Sequence, residues 1–405
     1  MYSNSRSCNP SASADGLFSS QHPIKKTLSM TCTNVFIRFI ASILAAAILL
    51  PAYVASAQPA DSQSSEHGHE HADPQRVRAI QQQIRLLLSQ GRIDEARSVA
   101  ETAMGNFHAV ELELALVQTL MQAGEYRHAL SAAAHTQAEH PDRADTTLLY
   151  AWLMAIGAQP ANALQLLDNT QREHPDVAGL ADLQQQIDAR ALMAARVKTS
   201  DAIQLGPLTA PVPERDKQFP KAIGSGVIID GGHKIIACLP AATNRRFLVR
   251  SGLGVIRTAR LSEYHSDQNL AVLELEKPIA QGADISVADS TPFPGAMIYI
   301  AGFPHSAFDS SAWPQMRVDV LGTPPGELRL GYPLHLQNLA AGSGVFDQQG
   351  HLIGIVDGAD KVRMLPVSAL ATAVKTVSKQ PANKLLIDEA YERSLASVVE
   401  IFGEP

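Results

Sequence analysis

The residues that could perform chemistry in this sequence include Ser343, which lies between two glycines, together with two histidines and one aspartate. A serine hydroxyl becomes a nucleophile when a histidine takes its proton and an acid orients that histidine. Ser343 would be the nucleophile, His233 or His265 the base and Asp267 the acid. These residue types could together support acyl transfer by a serine nucleophile.

A second group of residues could bind a metal ion. His67, His69 and His71 alternate with other residues in a polar segment over 58–75, and neutral imidazoles chelate transition metals. However, no predicted helix or second shell holds these side chains, and a metal site requires preorganised ligands. We therefore interpret 58–75 as a disordered tail and predict no metal site and no cofactor, while metal binding by the three histidines remains the alternative.

The sequence begins with a segment typical of an export signal. Residues 39–50 form an unbroken apolar run, and 55–57 supply the small residues of a cleavage site. Because a membrane-spanning helix needs about 20 apolar residues, we predict a cleaved signal peptide over 1–57 and a periplasmic or secreted bacterial protein. The alternative is an uncleaved membrane anchor, and Met1 and Met30 are both candidate start residues.

Composition limits the classes of function. Lys and Arg total 33 against 40 for Asp and Glu, which gives a net charge of −7 without any basic stripe. We therefore expect no nucleic-acid partner and no strong binding to a membrane surface. Cys8 and Cys32 lie in the predicted leader, so the remaining Cys238 cannot support a disulfide scaffold. Cys238 has no basic neighbour in a strand predicted to be buried, which indicates a core thiol and not a nucleophile.

Residues 76–196 contain an internal repeat. Three glycines recur every 33 residues, each followed five or six positions later by an alanine: Gly91, Gly124 and Gly157. The tetrapeptide Glu-His-Pro-Asp occurs at 139–142 and again at 173–176. We predict that each unit is a pair of helices in which the glycine ends the first helix in a left-handed cap and the alanine lets the helices pack closely.

These units resemble tetratricopeptide repeats over 76–108, 110–143 and 144–177, followed by a capping helix over 177–196. The resemblance implies a concave groove that binds a peptide or a partner protein. Because repeats specify shape and not ligand, a spacer or dimerisation module is the alternative.

The pattern changes after a proline-rich linker over 197–220. Over 221–378, short β-branched runs alternate with Gly, Pro and Asp, which predicts an antiparallel sandwich or barrel. The runs lie at 226–230, 234–238, 246–250, 270–275, 297–301 and 351–356. The last segment, 379–405, is predicted to hold one amphipathic helix over 385–402.

The order of five segments in this region resembles that of trypsin-like serine proteases of the bacterial periplasmic heat-shock type. These include Gly-Ser-Gly-Val-Ile-Ile-Asp at 224–230, Asp-Gln-Asn-Leu-Ala-Val-Leu at 267–273 and Ala-Gly-Ser-Gly-Val-Phe-Asp at 341–347. The other two lie at 287–304 and 365–368. Together, the two resemblances imply an α+β multidomain chain in which N-terminal α-helical, tetratricopeptide-like repeats precede an all-β trypsin-like double β-barrel.

The resemblance also locates the catalytic positions, and none of them carries the required group. Pro240 stands at the position of the histidine, Asn269 at that of the aspartate and Ala341 at that of the serine. A proline accepts no proton, an asparagine carries no negative charge and an alanine has no nucleophile. We therefore predict a pseudoprotease. A peptidase that uses Ser343 with a displaced base is the alternative, although catalytic groups must be held to within about half an ångström.

Proteases of this kind hold a substrate as an added strand, which does not depend on the catalytic residues. The expected peptide-binding residues flank the nucleophile position: Leu336, Gln337, Asn338, Leu339, Gly342 and Asp357. A rigid scaffold with a filled cleft is the alternative. The predicted function is binding of peptide or protein partners in the cell envelope as an adaptor, regulator or chaperone-like factor, and an oligomeric scaffold is a further alternative.

Overall fold

The computed structural model describes residues 73–189, 206–208, 222–239, 246–280, 285–288, 292–304, 312–322, 329–330, 341–358, 363–366 and 383–403. The predicted leader and most of the predicted tail and linker lie outside these ranges. Within 73–189, seven helices follow one another: α1 (Pro74–Ser89), α2 (Ile93–Asn106), α3 (Val110–Ala123), α4 (Tyr126–Glu139), α5 (Ala144–Ile156), α6 (Pro160–Glu173) and α7 (Leu180–Asp188).

The first six helices pack as three consecutive hairpins, and their turns show why the glycines recur. Gly91 and Gly124 have φ values of 74° and 82°, the left-handed conformation that was predicted and that glycine adopts without steric cost. Gly157 differs from the prediction, because its φ is −83° and Ala158 takes the positive φ instead. A Cβ at Gly157 would overlap the Tyr126 hydroxyl, so close packing requires the glycine there.

The predicted small residues lie between the paired helices. Ala96, Ala129 and Ala163 each have no solvent-exposed surface, which agrees with close packing of the two helices of each hairpin. The predicted capping helix over 177–196 corresponds to α7, which is shorter, and residues 190–196 lie outside the described ranges.

The β part contains one closed antiparallel barrel in the strand order β1-β12-β3-β4-β5-β2. Its strands are β1 (Ala222–Ile229), β2 (Lys234–Cys238), β3 (Arg246–Ser251), β4 (Ile256–His265), β5 (Leu270–Leu275) and β12 (Val398–Gly403). Apolar side chains that face inward fill the barrel, and because the sheet closes on itself it leaves no unpaired strand edge.

A second antiparallel sheet has six strands in the order β11-β10-β9-β6-β7-β8. Its strands are β6 (Met297–Gly302), β7 (Gln315–Gly322), β8 (Arg329–Leu330), β9 (Gly344–Phe346), β10 (Leu352–Val356) and β11 (Met364–Pro366). The sequence predicted two barrels; the structure closes the first, and it presents the second as a six-stranded sheet over the described residues.

The C-terminal segment differs from the predicted single helix over 385–402. Helix α8 (Ile387–Ser397) ends at Ser397, and the chain continues directly into β12, which inserts between β1 and β3 and closes the barrel. The β domain therefore extends beyond residue 378. Glu400 of β12 stands opposite Arg250 of β3 and forms a buried ion pair with it, as buried charges require.

The helical part and the β part share one hydrophobic core. The Trp152 ring of α5 lies 6.2 Å from that of Trp313, and the Tyr126 ring of α4 lies edge-on to Tyr391 of α8 at 4.4 Å between ring centroids. Eleven of the thirteen residues of α5 are buried, so α5 presents no open groove to a partner. Packing of this extent makes the two parts one unit.

Candidate functional site

The loop that contains Ala341 lies at the joint between the barrel and the second sheet. The Ser225 N–H of β1 donates a hydrogen bond to Ala341 O at 2.8 Å, and the Gly342 N–H donates to Val356 O of β10 at 3.0 Å. Gly342 has φ +81°, and a Cβ there would overlap Ser225 O. Only glycine combines this dihedral angle with so close an approach. Backbone contacts therefore fix the loop to both sheets.

The position predicted for the acid lies beside the same loop. Asn269, at the end of the β4–β5 turn, has φ +53°, and its carbonyl oxygen accepts a hydrogen bond from Leu239 N at 2.8 Å. A Cβ at Gly224 would lie 3.3 Å from the Leu239 side chain and 3.2 Å from Ala341 O. Asn269, Leu239 and Ala341 are thus neighbours. Pro240 follows Leu239 in the sequence but lies outside the described residues.

The side chains at these positions are neutral. The Asn269 Oδ1 lies 3.4 Å from the Tyr264 hydroxyl, which is also 3.4 Å from Leu239 O. The phenol and the amide therefore form a polar contact without a formal charge, and Ala341 adds only a methyl group. Acyl transfer requires a carboxylate that orients the base and a nucleophile. Asn269 does not supply the carboxylate, and Ala341 does not supply the nucleophile.

Ser343 is fully buried. A Cβ at Gly302 of β6 would overlap the Ser343 Oγ, so this hydroxyl packs against the backbone of β6. The Val356 N–H donates a hydrogen bond to Ser343 O at 2.8 Å. The residue therefore lies within the second sheet and not on an accessible surface.

The two histidines proposed as bases do not reach Ser343. His233 precedes β2, and Cys238 at the other end of that strand borders Gly342; five residues of strand correspond to about 16 Å. His265 pairs with Leu270, which pairs with Cys238, so two strand spacings of about 4.8 Å separate it from Cys238. The His265 Nε2 forms no hydrogen bond to a described residue.

Cys238 has the properties of a core thiol. Its side chain is buried, its Sγ accepts a hydrogen bond from Gly358 N at 3.0 Å, and Asp357 Oδ1 lies 4.0 Å away. Burial, with a smaller contribution from the Asp357 charge, raises the pKa of the thiol to about 11, against the opposing effect of the Gly358 N–H. A thiol in this environment is protonated at neutral pH and is a poor nucleophile.

The expected peptide-binding residues fall into two groups. Leu336, Gln337, Asn338 and Leu339 lie outside the described residues. Their role in peptide binding stays a prediction, and the structure shows that Gly342 and Asp357 are both buried. The reason is tertiary: the Asp357 carboxylate lies between Cys238 and Arg363, whose Nη1 is 3.8 Å from Asp357 Oδ2.

The sequence did not reveal a cavity of about 730 Å³ between the α1–α2 turn and the β3–β4 hairpin. Its walls come from segments that are far apart in the chain, so no local motif marks it. Among the described residues, no three His, Cys, Asp or Glu side chains come together as a metal site, and His67, His69 and His71 lie outside them. None of the helices in the described ranges combines the length and apolar composition that a membrane crossing requires.

Two solved protease structures are similar to part of this chain. The MamO protease domain from Magnetospirillum magneticum, in its apo form, aligns with 38% of this chain and 90% of its own at 16% identity and a TM-score of 0.28. Deg5 aligns with 38% of this chain and 83% of its own at 14% identity and a TM-score of 0.30. No protein-family model and no curated protein sequence matches this chain. TM-scores below 0.5 do not establish a shared fold.

Proposed function

We propose that this chain is an exported pseudoprotease that binds peptide or protein partners in the bacterial cell envelope without cleaving them, as an adaptor, regulator or chaperone-like factor. The observation that carries the proposal is the convergence of Asn269 and Ala341 on Leu239. Neither of these two positions carries the carboxylate or the serine that the resemblance to trypsin-like proteases would require there, and Pro240, at the position expected for the histidine, lies outside the described residues.

The strand arrangement supports a trypsin-like β domain. A closed six-stranded antiparallel barrel adjoins a six-stranded antiparallel sheet, and the loop with Ala341 lies where the two meet. The five segments that resemble such proteases follow in the same order along the sequence. The three helical hairpins, with their buried alanines at corresponding positions, support the tetratricopeptide-like interpretation of the N-terminal part.

A contact within the chain supports peptide binding by the helical part. The Gln122 side-chain amide of α3 donates a hydrogen bond to Leu208 O at 2.7 Å and accepts one from Leu208 N at 3.0 Å. Gln118, one turn earlier, donates to Gly206 O at 2.9 Å. These glutamines bind main-chain groups, which every peptide carries. In this chain the main-chain groups belong to its own residues 206 and 208, so the contact is an internal example of the binding that we propose for a partner peptide.

The competing enzyme hypothesis requires Ser343 to act as a nucleophile. Its hydroxyl is buried against Gly302, and neither His233 nor His265 is within hydrogen-bond reach of it. General-base catalysis requires a base at about 2.6–3.2 Å or one intervening water. This geometry favours binding over peptide hydrolysis. The proposed export rests on residues 39–57, which lie outside the described ranges.

The test uses the purified full chain, a fluorophosphonate probe for serine hydrolases and a casein-cleavage assay run in parallel. We expect neither labelling nor cleavage from a sample whose circular dichroism shows a cooperative melt, with trypsin as the positive control. A Ser343→Ala variant is the matched control. Labelling and cleavage by the wild-type chain that disappear in this variant would refute the proposal and identify Ser343 as a displaced nucleophile.

A further inference from the structure

Helix α8, which precedes the strand that closes the barrel, contacts the helical part at the N-terminus of α4. Glu392 of α8 accepts a hydrogen bond from the Arg127 N–H at 2.9 Å through its Oε2. The side chain of Glu125, the N-cap residue of α4, makes no capping hydrogen bond. Glu392 therefore supplies an acceptor for a backbone N–H that has none within the helix, and its negative charge is favoured at this end of the helix dipole.

The same contact includes two ion pairs and a buried ring contact. The Arg127 Nη2 lies 3.0 Å from Glu392 Oε1, and the Arg127 Nη1 lies 3.3 Å from Glu389 Oε1. Tyr391 of α8 is fully buried, and its ring is edge-on to that of Tyr126 of α4. The position of α8 thus depends on α4 through charges at the surface and an aromatic pair in the core.

Strand β12 connects α8 to the loop that contains Ala341. Glu400 of β12 stands opposite Arg250 of β3 on one side and opposite Ser225 of β1 on the other. The Ser225 N–H in turn donates to Ala341 O at 2.8 Å, and a Cβ at Gly342 would overlap Ser225 O. The strands β3, β12 and β1 and the Ala341 loop are therefore consecutive neighbours.

The connection from α8 to β1 contains no loop. Helix α8 ends at Ser397, and Glu400 is the third residue of the strand that follows, so about 10 Å of extended chain separates them. A Cβ at Gly252 of the barrel would overlap Leu395 O of α8, and the Gly252 N–H donates to Val398 O at 3.2 Å. A displacement of α8 therefore reaches β12 without a flexible segment to absorb it.

We propose that α8 and β12 form a latch through which the helical part controls the order of the Ala341 loop. While α4 holds α8, β12 stays between β1 and β3, and Ser225 keeps its hydrogen bond to the loop. When α8 leaves α4, the pairing of Glu400 with Ser225 weakens and the loop opens more often. The two places are coupled in free energy, so a perturbation at α4 is measurable at the loop. The latch goes beyond the proposed function, because it would act in the same way whether or not the chain binds a peptide.

Native-state hydrogen exchange of the full chain measures this coupling. The probes are the N–H groups of Ser225 and Gly342, which are both hydrogen-bonded at the loop. The reference is the set of N–H groups of β5, which lies opposite β12 in the strand order of the barrel. Glu392→Ala removes the cap of α4 and a partner of Arg127. We expect it to accelerate exchange at both probes at least about fivefold and in β5 less than about twofold.

Further variants test whether the effect passes through this contact. Glu95→Ala is the matched control, because Glu95 also pairs with an arginine at the start of a helix, Arg92, but within α2; it should leave exchange at both probes unchanged. Glu392→Arg brings two arginines together and should accelerate exchange more than Glu392→Ala does. Addition of Arg127→Glu to this variant restores an ion pair and should slow exchange again about threefold. If the two side chains served only packing, the double variant would exchange faster than the single one.

Unchanged exchange at Ser225 and Gly342 in Glu392→Ala would overturn the proposal. Equal acceleration at both probes and in β5 would also overturn it, because that result indicates a loss of global stability and not a local latch. A double variant that exchanges faster than Glu392→Arg would refute the control by α4. No peptide or substrate enters the measurement, so failure of the latch leaves the pseudoprotease proposal unaffected.

Discussion

Raising the pH should destabilise the folded chain through Cys238. Burial, reinforced by the Asp357 carboxylate, raises the pKa of this thiol from 9.0 to about 11. The folded state thus disfavours the thiolate. The stabilisation that comes from keeping the thiol neutral is complete at pH values below the pKa of this thiol in the unfolded chain. It is lost as the pH rises from about 9 through about 11, because only the unfolded chain can ionise the thiol freely. Two pKa units correspond to about 2.7 kcal/mol.

The measurement is the free energy of unfolding in urea at pH 8, 9, 10 and 11. Other groups also titrate over this range, so a Cys238→Ser variant, whose hydroxyl does not ionise, is compared with the wild-type chain at each pH. We expect the difference in stability between the two proteins to change by about 2–3 kcal/mol between pH 8 and 11, to the disadvantage of the wild type. If the unfolding free energies of the two proteins change in parallel with pH, the folded state does not hold the Cys238 thiol protonated.

A second readout links this prediction to function. In a chain with Cys8 and Cys32 replaced by serine, iodoacetamide should not alkylate Cys238 at pH 8 until the protein unfolds, because the buried thiol is neutral. Rapid alkylation of the folded chain would mean an activated, accessible thiol. A Cβ at Gly358 would lie 3.2 Å from both Cys238 Sγ and the Ala341 Cβ. Such a thiol would therefore lie near Ala341, the predicted position of the nucleophile, and would contradict the pseudoprotease proposal.

Two further predictions concern packing. Gly157→Ala should destabilise the chain by about 1–3 kcal/mol, since the new methyl group overlaps the Tyr126 hydroxyl. Gly105→Ala, at an exposed helical position with open space around it, should instead stabilise the chain by about 0.5–1 kcal/mol. Urea unfolding measures the change in stability for both variants. Equal changes in the two variants would contradict the packing explanation. Gln122→Ala removes both partners of the Leu208 main chain and should cost about 1–3 kcal/mol. Hydrogen exchange should then accelerate at the Leu208 backbone N–H. Unchanged protection of that N–H would refute the role proposed for the Gln122 side-chain amide.

Several elements were predictable because their signals are local. The repeated glycines and alanines predicted three helical hairpins, and the runs at 234–238 and 270–275 coincide with β2 and β5. The alternation of apolar and polar residues and the positions of turn residues depend on neighbours in the chain, so the sequence shows them without the tertiary structure. The side chains at Asn269 and Ala341 were also evident, whereas their common neighbour Leu239 is known only from contacts in the tertiary structure.

Other features could not be predicted from local patterns. The strand β12 follows α8 without a turn, and its place between β1 and β3 is decided by pairing with strands that lie far away in the sequence. Gly157 matched the other repeat glycines, yet its role depends on Tyr126, which lies 31 positions earlier. The burial of Asp357 depends on contacts with Cys238, which is distant in the sequence, and with Arg363, which directly precedes β11.

The sequence by itself determined the helical and strand periods, the neutral side chains of Asn269 and Ala341, and the division into a helical and a β-rich part. Only the tertiary structure decided that the two parts share a core, that the C-terminal strand closes the barrel and that a cavity lies between them. The physical reason is that periodicity acts over a few residues, whereas burial depends on which distant surfaces meet, and the hydrophobic effect is non-directional.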